Sequence, residues 1–157
     1  MMKMKLREIE NVISDYHWMS REVDRLQQAL WGSIGSKKSE GVAQYGLAAV
    51  MPKGSPGKSQ PELNAMDRRE KKIYKKLQRY DSMTRAVEHD QELLKEDLHK
   101  TIYDCMMEGM SYRATGKHLG ISRGKFYREK ETILNTLYQK DQKSQIIHFL
   151  TEEKLTG

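Results

Sequence analysis

SYRATGKHLGISRGKFYREK, residues Ser111–Lys130, reads as helix, tight turn, helix. Ser111 is an N-cap residue for a first helix ending near Leu119, because a serine hydroxyl can accept an orphan backbone N–H. Gly120 can take the left-handed conformation that ends a helix, and Ser122 caps a second helix beginning at Arg123. Gly116 costs ~1 kcal/mol relative to alanine inside a helix. Its presence predicts that the second helix crosses close by, one turn before Gly120. Leu119, Ile121 and Phe126 are then the shared core, and the outer face carries Arg113, Lys117, Arg123, Lys125, Tyr127, Arg128 and Lys130. Basic and aromatic side chains on a rigid helix suit a DNA groove. Those seven residues, with Ser122 at the turn, are the candidate DNA-binding set. An ordinary helical hairpin with a solvated basic face is the competing reading. Thr115 and Glu129 stand where such motifs usually carry apolar residues. A hydrogen bond between the two, or packing by Ile133, would compensate.

The rest of the chain is read outward from this stretch. Charged residues make up 32% of the 157 and hydrophobic ones 37%. With a mean hydropathy of -0.83, that composition fits an elongated helical protein better than a thick globular core. The net charge of +6 favours a polyanionic partner. Cys105 is the single cysteine, so no intrachain disulfide forms, as suits a reducing compartment. No apolar run reaches the ~18 residues of a membrane span, and the N-terminus lacks the apolar segment of a secretory signal. A cytoplasmic protein, associated with the nucleoid of a bacterial host cell, and no membrane partner, are the expectation.

The fold class expected is all-α, in three segments. Residues 1–31 form an N-terminal heptad helix: Ile9, Val12, Tyr16, Met19, Val23, Leu26 and Leu30 recur at alternating spacings of three and four. So narrow a seam packs on another helix, either of this chain or of a second copy in a homodimer. Residues 32–60 are a Gly/Ser/Pro-rich linker. Within it Gly57-Lys58-Ser59 resembles the end of a phosphate-binding loop. Pro52 replaces the leading glycine and Pro56 interrupts the nest of N–H donors, so no nucleotide site is expected. Residues 61–157 are a helical DNA-binding region with the helix-turn-helix at 111–138. Its long middle helix starts near Glu62, with Ser59 and Glu62 as a capping box. It divides at His89-Asp90, where Asp90 caps a helix running to Glu108, and Gly109 turns the chain into Ser111. A short final helix around Ile146–Leu150 precedes a frayed tail.

Positive charge gathers in two places. Seven bases between Arg68 and Arg79 face one acid, and six bases within Ser111–Lys130 face Glu129 alone. The first cluster is either a phosphate-tracking surface or a solvated helix face. The five histidines, at 17, 89, 99, 118 and 148, have no metal-ligand spacing with Cys105 or a carboxylate. No hydrolase or nucleotide signature appears. No enzyme activity, metal or cofactor is therefore expected.

Gly109-Met-Ser-Tyr-Arg-Ala114, Lys117-His-Leu-Gly-Ile-Ser-Arg123 and Phe126-Tyr-Arg128 resemble the C-terminal segment of small bacteriophage transcriptional regulators of the ArpU and RinA type. That segment is similar to region four of bacterial sigma factors. The order of an N-terminal helix, a Gly/Pro/Ser loop and a long middle helix is also similar. The resemblance implies binding to double-stranded DNA at a promoter, activation of late phage or prophage genes, and contact with RNA polymerase. Two alternatives remain beside it. One is a DNA-recognition small subunit of a phage packaging machine, which would form a closed ring in solution. The other is a helical protein-interaction module whose basic patches are incidental.

Overall fold

Apolar residues at helical spacing and a near-absence of glycine or proline between breakpoints make this chain a succession of helices. The computed structural model describes residues 6–37 and 64–156, and among these it is all-α, with six helices and no strand. They are α1 Leu6–Lys37, α2 Arg68–Gln91, α3 Asp97–Met107, α4 Tyr112–Leu119, α5 Arg123–Gln139 and α6 Gln145–Thr156. Helix α1 continues past the expected end at 31, with a break in helical geometry at Trp31 (φ -126°, ψ 18°). The Gly57-Lys58-Ser59 stretch and the Ser59–Glu62 capping box lie outside the described residues.

Two compact units are present. One holds the described residues between Met19 and Ser82. There Val23 and Leu26 of α1 and Leu77 of α2 form a buried cluster, with Leu30, Trp31, Ile73 and Tyr80 packed against it. Fully burying such a side chain contributes about 1.5–3 kcal/mol. This part of the heptad seam is thus covered by a helix of the same chain, the intramolecular member of the two partners left open by the sequence. The expected start near Glu62 lies outside the described residues; Asn64 and Ala65 are helical, and α2 starts at Arg68 after a break that Asp67 caps. Asp67 Oδ1 accepts the Glu70 N–H at 2.8 Å while Glu70 Oε1 accepts the Asp67 N–H at 3.2 Å. That reciprocal pairing is a capping box.

The other unit comprises the described part of α1 through Trp18 together with everything from Met83 onward. Ile9, Ile13, Val87, Ile102, Tyr103, Ile133, Leu137 and Ile146 are fully buried in it. Ile13 lies off the heptad seam, so the buried stripe of α1 is broader there than a coiled-coil seam. Ion pairs tie α1 to the C-terminal helices: Glu10 to Lys130 of α5 at 2.8 Å and Glu8 to Lys154 of α6 at 3.0 Å. Tyr16 of α1 donates to the Glu88 carboxylate of α2.

Asp90 does not cap α3, as the sequence suggested; α2 passes through it to Gln91. Its buried carboxylate instead accepts the N–H groups of Gln145 at 2.8 Å and Ile146 at 3.2 Å, and the hydroxyl of Ser144. Asp90 therefore caps α6, a helix more than fifty residues away. The cap of α3 is Glu96, whose side chain makes no capping hydrogen bond. At the far end of α3, Gly109 adopts φ +75° and its N–H donates to Met106 O at 3.0 Å. The expected frayed tail is helical through Thr156, where α6 ends.

Candidate nucleic-acid interface

Local chemistry sets the geometry of α4 and α5. Ser111 Oγ accepts the Ala114 N–H at 3.1 Å, and Ser122 Oγ accepts the Lys125 N–H at 3.1 Å. Each serine satisfies one of the N–H donors that every helix start leaves unpaired. Gly120 sits at φ 69°, ψ 34°, and its N–H donates to Gly116 O. Ile121 N–H donates to the same carbonyl at 3.1 Å. The close neighbour of Gly116 is this turn and not the second helix: a Cβ there would lie 3.1 Å from Ile121 O.

The two polar residues at expected apolar positions do not bond one another. Thr115, 1% exposed, donates its hydroxyl to Ser111 O at 2.9 Å within its own helix. Glu129 accepts from His99 Nε2 of α3 at 3.0 Å. His99 is itself buried, and its Nδ1 lies 3.6 Å from Glu96. Ile133 is fully buried. Burial first, and the Glu108 charge second, push the neighbouring Cys105 thiol up from its ordinary value.

With Glu129 turned toward α3, the first two turns of α5 carry only bases and an aromatic outward. Arg123, Lys125, Tyr127 and Arg128 are all exposed, as are Arg113 and Lys117 on α4 and the capping Ser122. Gly124 lies among them, and the Arg128 guanidinium is 3.5 Å from where a Cβ on Gly124 would sit. An open groove of about 750 Å³ runs along this side, with Arg113, Lys117 and Arg123 on its walls. Lys130 differs from the other seven candidates. It is drawn inward to Glu10 with only 17% of its side chain exposed, and its Nζ lies 4.8 Å from the centre of the Tyr127 ring.

Tyr112 is the member of this surface that the sequence reading did not single out. The Arg123 guanidinium lies over its ring at 5.1 Å and over that of Tyr127 at 5.7 Å. The two rings are 5.6 Å apart, and Arg113 Nε donates to the Tyr112 hydroxyl at 3.1 Å. Such cation–π contacts fix a guanidinium that would otherwise sample many rotamers. A tyrosine at the first position of α4 opposite one at the fifth of α5 was the available signal. Among the described residues no cluster of His, Cys, Asp and Glu could hold a metal ion, and no helix is long and apolar enough to cross a membrane.

The uncharacterized protein YqaQ of Bacillus subtilis (strain 168) is 54% identical to this chain over 136 residues, which cover 87% of this chain and 90% of YqaQ. The chain belongs to the YqaQ family. No family model and no solved structure matches it.

Proposed function

We propose that this member of the YqaQ family is a sequence-specific, double-stranded-DNA-binding transcriptional regulator, with the N-terminal half of α5 in the major groove. The observation that carries the reading is the charge of that half-helix. Its one acid, Glu129, is engaged by His99, while Arg123, Lys125 and Arg128 stand exposed on a helix whose start is capped and whose preceding turn is fixed by Gly120. A capped second helix presenting basic side chains from its first turns is the arrangement by which helix-turn-helix proteins reach base edges. Arg128 and Lys125 are the base-edge candidates, Arg123 is held ready by Tyr112 and Tyr127, and Arg113 and Lys117 hold the phosphate backbone. The resemblance to phage regulators extends this to activation of phage or prophage late genes and to contact with RNA polymerase.

Selecting bound fragments from the source genome supplies the operator and tests the reading. Arg128→Ala is expected to weaken operator binding by about 1–3 kcal/mol while leaving random duplex nearly unaffected. Equal loss on both would make Arg128 a phosphate contact, and the absence of any preferred fragment would sink sequence-specific recognition.

A further inference from the structure

A second basic surface lies far from α5 in sequence, in the unit between Met19 and Ser82. An open groove of about 600 Å³ runs between α1 and α2 there, walled by Arg68, Arg69, Lys72 and Lys76 on one side and Arg25 on the other. Ala29 and Ile73 line its floor. Arg25 is paired with Glu22 across one helical turn. Glu70 and Asp67, the acids at the start of α2, are turned toward one another's backbone N–H groups. Arg68, Lys72 and Lys76 repeat every four residues, so they stand on one face in steps of about 6 Å. Alternate phosphates along one strand of B-DNA advance by about 7 Å.

We propose that this groove is a second DNA site, which takes the phosphodiester backbone of a duplex without reading sequence. A lipid surface fits less well. An interfacial helix needs a free apolar face, and the apolar stripe of α2, Ile73, Leu77 and Tyr80, is packed into the cluster with Val23 and Leu26. An acidic helix laid in the groove would need apolar anchor pockets, and the apolar lining is Leu26, Ala29 and Ile73, with Leu26 buried in the α1–α2 cluster. What the groove does offer is dense positive charge in a line, the chemistry that displaces counterions from a polyphosphate. The proposal goes beyond the reading of α4 and α5, because it requires neither helix.

The test uses the intact chain and a random-sequence duplex, with affinity measured by fluorescence anisotropy across a salt series. In the triple variant Arg69→Ala/Lys72→Ala/Lys76→Ala, all three substituted side chains are exposed, and unchanged helical circular dichroism and melting verify its fold. Each lost phosphate contact lowers the slope of log K against log salt by about 0.9, so the triple variant is expected to lose about two to three units. An unchanged slope overturns the proposal. So does loss of binding to phosphatidylglycerol vesicles with duplex binding intact, which would assign the groove to lipid. The paired variant Lys125→Ala/Arg128→Ala separates the two readings. If it keeps full operator preference while the triple variant loses the salt slope, the groove stands and the role given to α5 falls. If it abolishes preference while the triple variant changes nothing, the reverse holds.

Discussion

The carboxylate of Asp90, one residue before the end of α2, accepts the backbone N–H of Gln145 at the start of α6 at 2.8 Å. One side chain thereby joins the end of one helix to the beginning of another. The same carboxylate takes the Ile146 N–H and the Ser144 hydroxyl, while His89 Nδ1 lies 2.9 Å from it. Ser144 Oγ in turn accepts the Ile147 N–H at 3.2 Å.

Asp90→Ala is expected to destabilise the protein by about 3 kcal/mol. It removes a charged acceptor and leaves buried donors without a partner, each a cost of about 1–3 kcal/mol. Asp90→Asn keeps one carbonyl acceptor and is expected to lose less. Urea denaturation measures both, and a loss below 1 kcal/mol for the alanine variant would show that water replaces the cap.

Two glycines with similar backbone angles separate conformational strain from crowding. Gly120→Ala places a Cβ at φ +69° in open space, so only backbone strain is added, about 1 kcal/mol. Gly109→Ala adds the same strain at φ +75° and puts its Cβ 2.7 Å from His17 Nδ1. That ring is tethered, since its Nδ1 lies 2.8 Å from Ser14 O, and a total of about 2–3 kcal/mol is expected. Thermal melts that rank the two variants the other way would contradict this account.

Lys130 is paired with Glu10, whereas the Tyr112 ring lies under the Arg123 guanidinium. Lys130→Ala breaks a partly buried ion pair to Glu10 and is expected to cost about 1–2 kcal/mol of stability, with little change in DNA affinity. Tyr112→Ala frees the Arg123 guanidinium and is expected to weaken DNA binding by about 0.5–1 kcal/mol with a smaller effect on folding. Paired melting and anisotropy measurements check both. A large affinity loss for Lys130→Ala at unchanged stability would place that lysine on the proposed DNA surface.

Two tyrosines give the fold an alkaline limit. Burial first, then the hydrogen bond to Glu88 and its charge, raise the Tyr16 phenol above its ordinary value of 10.0. Burial first, then the Asp90 charge, raise that of Tyr103, whose hydroxyl donates to Val87 O at 2.5 Å. The folded chain thus keeps protons that the unfolded chain releases above about pH 10. The stabilising contribution is complete below that pH and is lost as pH rises beyond it. Stability measured in urea is expected to fall above about pH 10. Tyr16→Phe is expected to flatten that fall, and an equally steep fall in the variant would refute the assignment.

What could be read from the sequence follows the range of the interactions. Ser111, Gly120 and Ser122 act on neighbours within four residues, so their types announce the α4–α5 turn directly. Spacing likewise marks Ile9, Val12, Val23 and Leu26 as buried. Asp90 was legible as a cap but not as the cap of α6, because its partners are brought to it by tertiary packing. The same holds for Glu129 with His99 and for Lys130 with Glu10. Charge and helical position do not say which side chain each of these residues meets, and only the fold brings the partners together. Tyr112 is hard to recognise from spacing along its own helix because its partner Arg123 lies across the turn.

The tie between α1 and the C-terminal helices bears on how the chain is made. Glu10 waits for Lys130, 120 residues later, and Glu8 for Lys154, 146 residues later. Synthesis adds about 5–20 residues per second, so α1 leaves the ribosome on the order of ten seconds before those partners exist. For that interval Ile9, Val12 and Ile13 have no C-terminal helices to pack against. Closing such long loops slows folding even in a helical protein. The N-terminal turns of α1 are made long before the helices that bury them, and the nascent chain offers chaperones a defined apolar segment to hold.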